Sequence, residues 1–201
     1  MRALWMGGAL ALLLWAQGAL AGTVLVVGDS ISAALGLDTR HGWVALLQQR
    51  LQERGFEHRV VNASISGDTS AGGAARLPAL LARHRPQLVI IELGGNDGLR
   101  GQPVAQLQQN LARMVDASRQ AGAGVLLLGM RLPPNYGQRY TQAFAQVYAD
   151  LATDKQVALV PFLLEGVGGV PGMMQADGIH PAAAAQATML ENVWPTLESL
   201  L

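Results

Sequence analysis

Val24-Leu25-Val26-Val27 constrains this chain more than any other stretch. An unbroken aliphatic run, mostly β-branched, suits a strand covered on both faces, as at the centre of a parallel sheet. Similar runs recur at Leu88-Val89-Ile90-Ile91, Val125-Leu126-Leu127-Leu128 and Val157-Ala158-Leu159-Val160, with a shorter one at Val60-Val61. Between them the apolar residues take helical spacing, at Trp43, Val44, Leu47 and Leu51, at Leu77, Leu80 and Leu81, at Leu107, Leu111 and Val115, and at Phe144, Val147 and Leu151. Strands alternating with helices predict an α/β fold, with a five-stranded parallel sheet, right-handed crossovers and helices on both faces. A last helix is expected from about Ala182, with Pro181 at its first position, where a missing N–H costs nothing.

The first residues stand outside that pattern. After Met1-Arg2, the segment from Ala3 to Leu20 carries no charge, and Ala19-Leu20-Ala21 fits the small-x-small signature of a secretory cleavage site. Residues 1–21 are therefore expected to be a signal peptide, and residues 22–201 one domain located in the periplasm or secreted. Glycines and alanines thin the segment and no basic cluster follows it, which argues against a stable membrane anchor after cleavage. There is no cysteine, so the fold uses no disulfide and no lipid is attached through one. Arg2 is the only charge lost with the segment, leaving 13 basic against 14 acidic residues. That balance excludes nucleic acid as a partner, since binding it needs clustered Lys and Arg.

Small polar loops follow the first three strands: Gly28-Asp29-Ser30, Ala63-Ser64-Ile65-Ser66-Gly67-Asp68 and Gly94-Gly95-Asn96-Asp97-Gly98. In a parallel sheet all three emerge at the carboxyl edge, where open α/β folds hold their ligands. Asp177-Gly178-Ile179-His180-Pro181 precedes the last helix. A serine hydroxyl needs a base to become a nucleophile, and the base needs a third group to fix its tautomer. Ser30, His180 and Asp177 are residues of the right kinds for those roles.

These blocks, in this order, resemble the SGNH (GDSL-type) hydrolases, with Ile31 where the family's first block usually has leucine. The longer runs 62–70 and 93–101 are similar to the periplasmic multifunctional branch with acyl-CoA thioesterase, lysophospholipase and arylesterase activities. The resemblance implies a flavodoxin-like three-layer α/β/α sandwich and hydrolysis of thioesters and carboxylic esters. It implies Ser30 as nucleophile, His180 as base and Asp177 as its orienter, with an oxyanion hole formed by the Ser30 N–H, the Gly67 N–H and the Asn96 amide. The expected partners are small acyl ester and thioester molecules, the chain acting as a monomer without cofactor.

The acyl chain is expected between loops 98–103 and 131–136, against Leu99 and Leu132. Gly98 and Gly101 would make the first loop a mobile lid, and Pro133-Pro134 would make the second a fixed wall. His41, His58 and His84 lack ligand spacing, so no metal site is expected. Glu92 reads as a hydrogen-bonded structural carboxylate, and Met173-Met174 as core or pocket lining. A polysaccharide deacetylase is the lesser enzyme reading, because few aromatic residues are present to stack on sugars. A secreted acyl-chain-binding module would not need the full set of catalytic groups.

Overall fold

A computed structural model describes residues 22–201, so the segment read as a signal peptide lies outside the described residues. The sheet has five strands, β1 (Thr23–Gly28), β2 (Arg59–Asn62), β3 (Leu88–Glu92), β4 (Gly124–Leu128) and β5 (Ala158–Val160). Every pairing is parallel, in the order β2-β1-β3-β4-β5. This is the flavodoxin-like strand order. Val24 to Val27 are all 0% exposed, because β1 is flanked by β2 and β3 and covered on both faces.

The helices are α1 (Trp43–Glu53), α2 (Ser70–His84), α3 (Gly95–Leu99), α4 (Val104–Gln120), α5 (Gln138–Lys155) and α6 (Gln186–Glu198). α1 packs on α6, while α2, α4 and α5 pack in series, giving the outer layers of the sandwich. The inward stripes are those the sequence spacing marks: Trp43, Leu47 and Leu51 on α1, Leu77 and Leu81 on α2, Leu107, Leu111 and Val115 on α4. Among the described residues, no helix is long and apolar enough to cross a membrane.

Three local expectations change. Gly94–Gly98 is not all loop, since Gly95–Leu99 winds into the single helical turn α3 directly after β3. Pro181 does not open the last helix. It pairs with Met174 in an isolated antiparallel bridge, and a 3-10 turn at Ala183–Ala185 leads into α6. The Gln175 N–H donates to the His180 carbonyl at 2.7 Å, so the segment before Pro181 is held by backbone pairing rather than by a helix cap.

Gly98 serves close packing, not mobility. A Cβ there would stand 2.5 Å from Leu132 Cδ2 and 2.8 Å from Phe144 Cε2. The Tyr136 hydroxyl donates to the Leu99 carbonyl at 3.2 Å and the Tyr140 hydroxyl to the Gln102 carbonyl at 2.7 Å. The lid and wall expected from the sequence are thus bonded to one another.

Candidate active site

The strand order reverses direction between β1 and β3, so the loops after these strands part and leave a crevice at the carboxyl edge. Ser30 follows β1 on a tight turn. The Ala33 N–H donates to the Asp29 carbonyl at 3.0 Å and the Leu35 N–H to the Ser30 carbonyl at 3.0 Å. A buried carboxylate clamps this turn from below. Glu92 Oε2, at the end of β3, accepts from the Asp29 N–H at 3.2 Å and from the Ser32 hydroxyl at 2.7 Å. Trp43 Nε1 donates to the same Ser32 oxygen at 3.2 Å.

Far along the chain, the 175–181 segment brings His180 over this turn. His180 Nε2 lies 2.9 Å from Ser30 Oγ, and His180 Nδ1 lies 2.6 Å from Asp177 Oδ2. Asp177 Oδ1 accepts the backbone N–H groups of Ile179 at 2.9 Å and His180 at 3.0 Å. The bond from the His180 ring, then those from the His180 and Ile179 N–H groups, holds Asp177 well below the usual carboxylate range. An ionised Asp177 fixes the proton of neutral His180 on Nδ1 and leaves Nε2 as acceptor for the serine hydroxyl. That chain can deprotonate Ser30 as it attacks a carbonyl.

Gly67 and Asn96 reach the same edge. Gly67 has φ +79 in an open turn, a conformation glycine adopts without a Cβ penalty. Among the described residues, neither the Ser30 N–H nor the Gly67 N–H has an intramolecular acceptor. Asn96 Nδ2 donates to the Asp68 carbonyl at 2.9 Å and to Asp29 Oδ2 at 3.1 Å. Both amide protons are therefore engaged, and the longer of the two bonds ends on Asp29.

Sequence reasoning missed what holds these loops in register. Asp97, buried beside Asn96, accepts from the Ser70 N–H at 2.8 Å and the Ser70 hydroxyl at 2.5 Å, tying α3 to the first residue of α2. Asn110 Nδ2 donates to the Ser70 oxygen at 2.8 Å. Arg76 Nε donates to Asp68 Oδ2 at 2.8 Å, and its guanidinium also bonds the Ala63 carbonyl. The Arg100 guanidinium donates to the Gly67 carbonyl at 3.1 Å. Asp97 stands inside a block singled out by sequence, but its partner is 27 residues away, which no local spacing exposes. Burial raises Asp29 to about 6, against the opposing effects of the Ile31 N–H, His180 and the Asn96 amide. Burial, then the neighbouring Asp29 charge, pushes Glu92 well above the carboxylate range.

Residues 26–188 match the family described as GDSL-like Lipase/Acylhydrolase. The chain belongs to this family. As a GDSL-like acylhydrolase it is an ester-cleaving hydrolase. It is 70% identical over 201 residues to "Esterase TesA" of Pseudomonas aeruginosa, covering 100% of both chains. It is 46% identical over 189 residues to "Thioesterase 1/protease 1/lysophospholipase L1" of Escherichia coli K12, covering 94% of this chain and 89% of that one. The crystal structure of TesA superposes with a TM-score of 0.88 at 72% identity, covering 89% of this chain and 99% of the other. The GDSL-type reading of the sequence blocks and the flavodoxin-like fold it implied are both borne out.

Proposed function

We propose that this acylhydrolase cleaves carboxylic esters and acyl thioesters through an acyl-enzyme on Ser30. The observation that carries the reading is the bonded chain Ser30 Oγ–His180–Asp177, at 2.9 Å and 2.6 Å. Ser30 Oγ attacks the acyl carbonyl carbon while His180 Nε2 takes its proton. The carbonyl oxygen becomes an oxyanion facing the Ser30 and Gly67 N–H groups and the Asn96 amide, which turns one proton away from Asp29 to meet it. Collapse breaks the bond to the leaving oxygen or sulfur, and His180 returns the proton to that atom. Water then repeats the sequence on the acyl-serine, releasing the acid and restoring Ser30.

The substrate range is inferred from relatives named esterase, thioesterase and lysophospholipase: acyl-CoA thioesters, lysophospholipids, and aryl or short-chain esters. Leu99 and Leu132 are proposed to contact the acyl chain. Both are partly buried: Leu99 ends α3, which carries Asn96, and Leu132 packs against its Gly98. Export to the periplasm rests on the uncharged segment ending at Ala21.

A fluorophosphonate probe tests the assignment. It should label the wild type at Ser30, and Ser30→Ala should lose both labelling and turnover of acyl-CoA and aryl ester while keeping its melting temperature. Labelling at Ser32, Ser64 or Ser66 overturns it. The intact mass of protein recovered from the periplasm should correspond to a chain starting at Gly22, and retention of residues 1–21 refutes cleavage.

A further inference from the structure

We propose that Leu35 and Ile179 form a subsite for an apolar leaving group beside His180. Large apolar side chains exposed among the described residues are Leu35 (44%), Ile65 (53%), Val170 (38%), Ile179 (43%) and Leu200 (37%). Leu35 and Ile179 stand on two segments joined to one another at the active edge. Ile179 immediately precedes His180, and Leu35 closes the turn that begins at Ser30, its N–H donating to the Ser30 carbonyl. Gln175 links the two segments. Its Nε2 donates to the Leu35 carbonyl at 2.8 Å and to the Pro181 carbonyl at 3.1 Å, while its N–H bonds the His180 carbonyl. Two aliphatic side chains left in water are thus carried on the joined segments that hold Ser30 and His180.

Proton delivery says what they face; this step rests on the function proposed above. When the tetrahedral intermediate collapses, the electron pair of the breaking C–O or C–S bond goes to the leaving atom. His180 Nε2 supplies its proton, so that atom must come within hydrogen-bond reach of the imidazole. The oxyanion points instead at Gly67 and Asn96, and the acyl chain runs toward Leu99 and Leu132. Whatever is attached to the leaving atom therefore extends over Ile179 and Leu35. A phenol, naphthol or other bulky apolar alcohol or thiol covers these side chains and removes them from water, which favours binding. Methanol is too short to reach them. The acyl and leaving-group sides of the site are thereby separate.

The test compares naphthyl and methyl esters of the same acid in Leu35→Ser, Ile179→Ser and the double variant, with Leu35→Ala and Ile179→Ala as milder substitutions. Both positions are exposed, so packing of the core is untouched. The naphthyl-to-methyl ratio of kcat/KM should fall roughly tenfold in the double variant, the cost of uncovering a few methylene groups. The dependence on acyl length, and the rate at which a small fluorophosphonate labels Ser30, should not change. A ratio that stays constant refutes the subsite, and so does a lost preference for long acyl chains, which would put the acyl group there instead. Failure of the wild type to label at Ser30 is a different result, one that overturns the catalytic reading itself.

Discussion

Asp177 uses one carboxylate oxygen on the His180 ring and the other on two backbone N–H groups, so its charge and its orientation are fixed together. Asp177→Asn keeps the shape but removes the charge that holds the imidazole proton on Nδ1. In the serine-protease template the analogous change lowers kcat by about 10⁴. Strong impairment with an unchanged fold is expected, and wild-type rates across pH would make Asp177 only a turn residue. Asn96 carries a separate prediction. Its amide meets an oxygen that turns negative only on the way to the intermediate, so Asn96→Ala should lower kcat far more than it raises KM. Loss of one such donor costs roughly 10² to 10³ in rate. A change confined to KM would reassign Asn96 to substrate binding.

At the scale of elements, the turn α3 is where position and specificity meet. Asp97 ties it to α2, Gly98 lets Leu132 and Phe144 press against it, and Tyr136 bonds its Leu99 carbonyl. Proline is unsuitable for stiffening the following loop at Gly101, whose φ is +65 while proline requires about −65. Leu132→Ala is the better probe of the acyl groove. Removing its methyl groups should reduce kcat/KM for long-chain substrates relative to acetyl esters, since each buried methylene is worth about 0.8 kcal/mol. If all chain lengths fall alike, Leu132 shapes α3 without touching the acyl group.

For the molecule as a whole, the Asp29–Glu92 pair under the nucleophile turn sets how stability responds to pH. Asp29 holds its proton up to about 6 in the fold, against an ordinary value of 3.8. Between these values the native state binds more protons than the unfolded chain, so stability falls as pH rises from about 4 to 6. A shift of that size corresponds to about 3 kcal/mol, shared with its buried neighbour. Glu92, raised well above its ordinary range by burial and by Asp29, acts in the same sense. Asp177 acts in the opposite sense, its contribution being lost only as pH drops below the ordinary carboxylate range. The melting temperature should therefore decline from pH 5 to pH 8, and Glu92→Gln should raise it more at pH 8 than at pH 5. A melting temperature that is equally high at both pH values would mean that the pair is not protonated in the fold. By itself, the sequence determined the sandwich and its family. Aliphatic runs buried on both faces leave few alternatives to a parallel sheet, and the Gly28-Asp29-Ser30, Gly67, Gly94-Gly95-Asn96-Asp97 and Asp177-to-His180 blocks are local patterns. Only the tertiary structure decided the strand order, the α3 turn and the bridge at Pro181. It alone paired Glu92 with the Asp29–Ser32 turn, Asp97 with Ser70, and Gln175 with Leu35. Those contacts join residues from 27 to 140 positions apart, and their partners are chosen by how loops converge at the sheet edge rather than by any spacing along the chain.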